Sequence, residues 1–369
     1  MTQIAGAPGR TVGLLGGGLP RELLYALGCT PVRVFPTAEK PTAAEDFLPR
    51  NFCAMTRLIL ASFVEDGGPV LDAVIFADED DATRRLYDVW RAYMPVPAWG
   101  FVDVPRAATP LAASYYASLL AHLAADLETH TGQRLRADAL RQAVGLYNEQ
   151  RGLLADLKRR WLAGGVATID YRRLRRMALT QGPTSANERL RQALAKQATE
   201  TRREAVQETV SFAGNAALNG RSRLLLSAEL AAPDGLVRLV EAHNTQVVAE
   251  DSDLDERDLA WMVPTEGETV DDLLLALAQA YLDRPPSPRP RDLPRRLAYL
   301  SGLLAERRVS RVICAYSNFC DLYLAEFPSL RAHLRGLGVP VLLLELEDEA
   351  ISGQHRTRVE AFLELTGSS

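Results

Sequence analysis

The chain has 369 residues, 47% of them apolar and 24% charged, and carries a net charge of −5. That length predicts two or three domains, each with apolar residues enough for a core. A net negative chain lacks the basic footprint of a nucleic-acid or acidic-membrane binder, and no apolar run approaches the roughly 20 residues of a membrane span. The four cysteines, at positions 29, 53, 314 and 320, are too scattered for a disulfide framework. Without a basic-then-apolar leader, the expectation is a soluble, cytoplasmic protein.

Thr11 to Leu15 reads as a short strand. Gly16, Gly17 and Gly18 follow, and Pro20 opens a helix through Leu27, a favourable place for proline. A glycine-rich turn before a helix either cradles a phosphate on its N–H groups or is a plain tight turn. Glu22 falls in the first helical turn, where the helix dipole favours a carboxylate. Phe52 to Phe63 reads as an apolar helix opened by Cys53, with Arg57 one turn on. Such a cysteine is a small buried hydrophobe or a thiolate favoured by the helix N-terminus. Asp72 to Ala77 is the next strand, leading into DEDDATRRLYDVWR, and Val96 to Phe101 closes this part.

From Pro110 to about Asn215 the pattern turns helical, with a break at Thr131 and Gly132. Its many Arg and Lys are expected on solvated faces and in salt bridges rather than in a functional basic patch. Strands return at Leu224 to Glu229 and Thr245 to Asp251, separated by a helix from Pro233 to His243. The following loop holds Asp253 and Asp255, which are either solvated or a hard-cation cluster. A helix from Asp271 to Tyr281, a Pro-rich surface segment from Arg284 to Pro294 and a helix from Arg295 to Glu306 come next.

The end of the chain is the most informative. Val309 to Ile313 is a β-branched run that ends in a polar loop holding Cys320 and Asp321. A helix follows, with Leu330, Leu334 and Leu337 at helical spacing; then comes the apolar run Val339 to Leu344 and the acidic tip Glu345, Glu347 and Asp348. Strands apolar on both faces belong to a parallel sheet, and ligands of such sheets sit beyond the carboxyl ends of the strands. Cys320, the acidic tip and the segment Gly353 to Arg358 are expected at that edge. Cys29, at a helix end, and Cys314, inside a strand, read as structural.

These strings resemble the 2-hydroxyacyl-CoA dehydratase and benzoyl-CoA reductase family. The resemblance lies in F-C-D at 319–321, G-x-P-V-L-L-L-E at 338–345 and G-Q-x-R-T-R-V-E-A-F-L-E at 353–364. It continues in P-x-E-L-L-x-A-x-G-x-x-P-V-R at 20–33, C-x-x-x-R at 53–57 and Y-N-x-x-R at 147–151, and Arg257 matches a further arginine. At 80–90 the family pattern C-D-A-x-R-R-L-Y-D-x-W is met everywhere except at its cysteine, which is Asp80 here.

The resemblance implies an α/β fold of two doubly wound parallel-sheet domains of Rossmann or flavodoxin type with a helical region between them. Its boundaries are expected at 1–108, 109–220 and 221–369. It implies paired subunits, a heterodimer or failing that a homodimer. It also implies a 4Fe–4S cluster fed by an ATP-dependent activator protein and radical chemistry on an acyl-CoA. The implied cluster ligands are Cys53 and Cys320, with Asp80 as third; carboxylates are harder and suit a cluster less than thiolates. Glu22 is the implied proton carrier, and Gln354 and Arg356 shape the substrate site. The alternative is a non-catalytic partner subunit that keeps the fold and has lost the full cluster site; a plain CoA- or nucleotide-binding protein is a further class.

Overall fold

The computed structural model describes residues 9–207, 220–259, 261–288, 292–348 and 350–365. The expected helix beyond Gln207 and the middle of the Pro-rich segment, 289–291, lie outside them.

Two four-stranded parallel sheets organise the chain. The first holds β1 (Arg10–Leu15), β2 (Cys29–Arg33), β3 (Ala73–Ala77) and β4 (Ala98–Val102), in the order β2-β1-β3-β4. The second holds β5 (Ser222–Ser227), β6 (Thr245–Asp251), β7 (Arg311–Ser317) and β8 (Val341–Leu346), in the order β6-β5-β7-β8. Both are doubly wound, and in both the chain reverses direction across the sheet between its first and third strands, the place where such sheets open a crevice. β3, β6 and β7 are buried at every residue, which explains the apolar runs at their centres; the charged ends of β6 and β7 are buried too.

β2 differs from the sequence expectation, which gave Cys29 to a helix end. Pro31 lies mid-strand, opposite Val12 of β1. A proline donates no ladder bond, so it reads as a breaker; β2 accepts it because it is an edge strand.

Helices cover both sheets. On the first, α2 (Ala54–Asp66) and α3 (Asp81–Tyr93) pack one face, where Trp90 is buried edge-on against Phe63 at 4.6 Å and Phe76 at 5.6 Å. The other face is covered by α1 (Arg21–Ala26), α4 (Pro110–Thr131), part of α5 (Ala137–Leu162) and α10 (Val270–Asp283). Thus α10, from late in the chain, returns to the first sheet: Leu273, Leu274 and Leu277 share a core with Leu23 and Tyr116. The second sheet is covered on one face by the far end of α5, α6 (Thr168–Thr180), α7 (Pro183–Gln207), α8 (Asp234–Glu241) and α13 (Gly353–Leu365). Its other face holds α11 (Leu293–Glu306) and α12 (Asp321–Gly336). Because α5 runs from one core to the other, Leu140 and Val144 are buried in the first and Leu157 and Trp161 in the second. No helix among the described residues is long and apolar enough to cross a membrane.

Exposed ion pairs such as Arg136 with Asp138 and Arg191 with Glu149 meet the expectation for the helical region, but four of its basic residues depart from it. Arg151, Lys158, Arg172 and Arg175 are buried, not solvated. Lys158 of α5 bonds Asp255 at 3.2 Å and also Glu256; Arg172 of α6 pairs with Glu250 and Asp234; Arg175 donates to the backbone of Leu254 and Asp255. These helices therefore hold the acidic end of β6 and the short helix α9 (Glu256–Leu259) in place. A charge taken out of water needs a partner, and here both signs are buried together.

Candidate functional site

The carboxyl ends of the two sheets face one another, and the loops at their reversal points line a shared cavity of about 100 Å³. Gly16 comes from the loop after β1, Glu79 and Asp80 from the loop after β3, Glu229 and Leu230 from the loop after β5, and Cys320 from the loop after β7. Cys53, which precedes α2, completes this wall.

Cys53 and Cys320 each occupy the cap position before a helix, α2 and α12 respectively. Both are nearly sealed, with exposures of 5% and 3%. The two cysteines line one cavity and share one apolar cluster. Their backbones are tied as well, since the first N–H of α2, from Ala54, donates to the carbonyl of Asn318 at 2.9 Å. Although Cys53 comes from the first half, it packs in the core of the second sheet with Cys314, Tyr316 and Tyr323. The loop that presents Cys320 is strained: Phe319 has φ 59° and an exposed ring. A bulky residue in this left-handed region costs roughly 1–2 kcal/mol, and such strain persists only where the surroundings enforce it.

A set of hydrogen bonds around the loop enforces it. Glu347, at the acidic tip after β8, accepts from the buried Arg57 guanidinium at 2.8 Å and from the Asn318 amide at 2.9 Å. Arg57 also donates to the Phe52 carbonyl at 3.1 Å. Glu229 accepts from the Ser317 N–H and hydroxyl, both at 2.8 Å, and lines the same cavity as Cys320. The neighbouring Cys53, burial and the neighbouring Glu229 together push the Cys320 thiol well up. Sequence patterning alone does not single out Glu229; ending a buried strand beside a cysteine loop is the signal that marks it.

Asp80 lies on the same wall, but its carboxylate has another task. It is the cap of α3, and Oδ1 accepts the Thr83 N–H at 2.7 Å. It also borders a larger cavity of about 470 Å³, lined on one side by Glu79, Asp81, Asp321 and Glu326. Among the described residues no three His, Cys, Asp or Glu side chains are grouped so as to hold a metal ion. The donor set toward a cluster is thus two thiols and one carboxylate committed to a helix cap. That is not a full set for four irons.

The other sequence candidates lie elsewhere. Glu22 is fully buried in an ion pair with Arg151 and accepts the Tyr281 hydroxyl at 2.7 Å. Burial alone would push its carboxyl up; Arg151 and Tyr281 outweigh that and hold it below the ordinary value. It does not line the thiol cavity. Gln354 and Arg356 stand exposed on α13, also outside that cavity. Cys314 is sealed inside β7, where burial pushes its thiol up to about 12, and Cys29 is buried in β2 with its thiol pushed to about 11. The acids after β6 are paired: Asp251 with Arg257 and Arg296, Asp253 with Arg33 and Arg257.

The family model described as 2-hydroxyglutaryl-CoA dehydratase, D-component, matches residues 18–365, and the chain belongs to that family. It is 23% identical over 346 residues to one of the benzoyl-CoA reductase subunits of Thauera aromatica, covering 91% of this chain and 84% of that one. It is 21% identical over 367 residues to the (R)-phenyllactyl-CoA dehydratase beta subunit of Clostridium sporogenes, covering 96% and 91%. A putative dehydratase subunit of Escherichia coli, YjiM, is 25% identical over 367 residues, covering 94% and 89%.

Proposed function

We propose that this chain is one subunit of an acyl-CoA dehydratase or benzoyl-CoA reductase-like complex, paired with a homologous second subunit. Within that pair it acts as a structural partner whose own cluster site is incomplete. The observation that carries this reading is Asp80: the residue at the place of the family's second cysteine is spent on capping α3. Soft thiolates are the ligands a cluster needs, and one fold can keep its interface after losing its chemistry. In this role the chain supplies one wall of a dry cleft, held by Arg57, Glu347 and Asn318.

A second reading is favoured by Cys53 and Cys320 lining one cavity. Here the chain holds a 4Fe–4S cluster on Cys53, Cys320 and Asp80, is fed by an ATP-dependent activator, and takes part in radical acyl-CoA chemistry in the cytoplasm. Gln354 and Arg356 then shape the substrate site from α13, and Glu22 carries the proton. A bound cluster would supply the one-electron chemistry; this chain's residues would supply its position and exclude water.

Anaerobic co-expression with a homologous subunit, followed by sedimentation and by iron and sulfide analysis of each chain, separates the readings. The first expects a heterodimer with cluster iron only on the partner. A full, stable cluster on this chain establishes the second. A strict monomer overturns both.

A further inference from the structure

We propose that Arg223, Arg307 and Arg308, gathered at the amino edge of the second sheet on the far side from the cleft, form a binding site for a phosphate-type oxyanion. The backbone brings them together. β5 and β7 are neighbours, and the Ser310 N–H donates to the Arg223 carbonyl at 2.8 Å, so the start of β5 lies against the loop between α11 and β7. Arg223 Nε donates to the Arg307 carbonyl at 2.6 Å, which fixes its guanidinium on the peptide that joins Arg307 to Arg308. Only one of the five N–H donors of that guanidinium is used there. Arg307 pairs with Glu306 at 3.2 Å, an acid whose side chain is 64% exposed, and its own Nε is buried with no hydrogen-bond partner among the described residues. Among the described residues no carboxylate pairs with Arg223 or Arg308. The interior differs: Arg151, Arg172, Arg257 and Arg296 each meet a carboxylate. Like charges set side by side disfavour one another, and burial together with Arg308 and Arg307 holds the Arg223 guanidinium below its ordinary value. A bound oxyanion turns that repulsion into attraction.

The backbone at Arg308 is an independent sign. α11 ends with the Arg308 N–H donating to the Ala305 carbonyl at 3.2 Å and the Val309 N–H to the Leu304 carbonyl at 2.9 Å. α12 ends in the same way, with Gly338 donating to Arg335 at 3.0 Å and Val339 to Leu334 at 2.9 Å. The left-handed position of this motif is Gly338 at φ 70° in one helix and Arg308 at φ 50° in the other. Glycine takes that conformation without a steric cost, whereas an arginine is strained there. The dipole of α11 attracts a cation to its end, but Arg307, one residue earlier, already supplies one. The strained place is therefore kept for a side chain that is used: Arg308 is exposed, beside Arg223 and Arg307. Planar guanidinium forks meet phosphate oxygens two at a time, which favours a tetrahedral dianion over chloride.

The test uses the full-length chain at low ionic strength. Sodium phosphate is titrated by calorimetry, with sodium chloride at matched ionic strength as the reference and glycerol phosphate as a second ligand. Phosphate should bind and raise the thermal midpoint where chloride does neither. Arg308→Gly should weaken phosphate binding by about tenfold or more, the loss of one charge-assisted hydrogen bond. Its midpoint without phosphate should stay level or rise, because glycine relieves the strained helix end. Arg223→Met should weaken binding to a similar degree. Arg335→Ala, which removes an exposed arginine from the matching end of α12, should leave phosphate affinity unchanged. Glycerol phosphate binding no more tightly than inorganic phosphate marks a site for the free anion, and tighter binding marks a site for the phosphate of a larger molecule. Phosphate that acts no differently from chloride overturns the proposal, as does an equal loss of affinity in Arg335→Ala. Unchanged phosphate affinity in Arg308→Gly also overturns it, and with a lowered midpoint assigns that arginine to the helix end alone. The site lies at the opposite edge from the cleft, so its test does not depend on either reading of the cluster.

Discussion

Asp80 and Cys320 occupy equivalent places in the two halves of the chain: each is the cap residue of the helix that follows the third strand of its sheet, β3 and β7. Only Asp80 makes a side-chain cap bond. An aspartate is among the best residues for that position, whereas a cysteine leaves the helix N–H groups to other partners. The fold therefore offers both places to either a cap or a ligand, and this chain has chosen differently in the two.

This equivalence makes position 80 a clean test. Asp80→Ala should lower stability by about 1 kcal/mol, the usual cost of a lost cap. Asp80→Cys should lose a similar amount and gain a third thiol on the cavity wall. Under strict anaerobic reconstitution, its iron and sulfide content and its broad visible absorption should rise above those of the natural chain. Equal iron in both proteins would show that position 80 does not limit the site.

Glu22 and Arg151 form a buried pair whose removal has a definite sign. Glu22→Gln leaves the Arg151 guanidinium without its counter-charge and should cost about 3–5 kcal/mol by chemical denaturation. The folded carboxyl lies below its ordinary value. Its contribution is therefore complete above the unfolded value, near about 4.3, and is lost as pH falls through the folded value. The variant should show a flatter stability profile in that acid range. If stability is unchanged and turnover of an active complex instead falls roughly 10²-fold, Glu22 is a proton carrier.

Arg33 at the end of β2 and Asp253 after β6 lie in different halves and pair at 2.6 Å. Both are partly shielded from solvent, so their coupling should exceed that of a surface pair. A double-mutant cycle with Arg33→Met and Asp253→Asn should give an interaction of about 0.5–3 kcal/mol, screened only weakly by salt. Additive effects would mean that this pair does not help to join the halves.

The cysteines should separate by place. Cys314→Ala removes a sealed sulfur from β7 and should cost roughly 1 kcal/mol or more in stability, with iron binding unchanged. Cys53→Ala and Cys320→Ala should abolish whatever iron the chain binds anaerobically. Loss of iron in Cys314→Ala would place that residue at the site.

The sheet strands are largely readable in the sequence. Runs such as Val74 to Ala77 and Ile313 to Tyr316 are apolar on both faces because both faces are buried, and that pattern is local. β2 is hidden by Pro31, a breaker in isolation that an edge strand tolerates. The placement of Cys53, Asp80 and Cys320 on one wall is implied by family resemblance, not by spacing, since they lie far apart in the chain.

Sequence by itself determined the α/β class, the parallel sheets, the acidic loop after β6 and the absence of a cysteine at position 80. Those properties follow from residue type and short-range periodicity. Only the tertiary structure decided that Arg151, Lys158, Arg172 and Arg175 are buried partners of distant acids, because charge pairing has no period to read. It also decided that the Asp80 carboxylate turns to the Thr83 N–H while Cys53 and Cys320 come to line one cavity. Those orientations are set by how two helix starts abut across a cleft, and no stretch of either segment records the other.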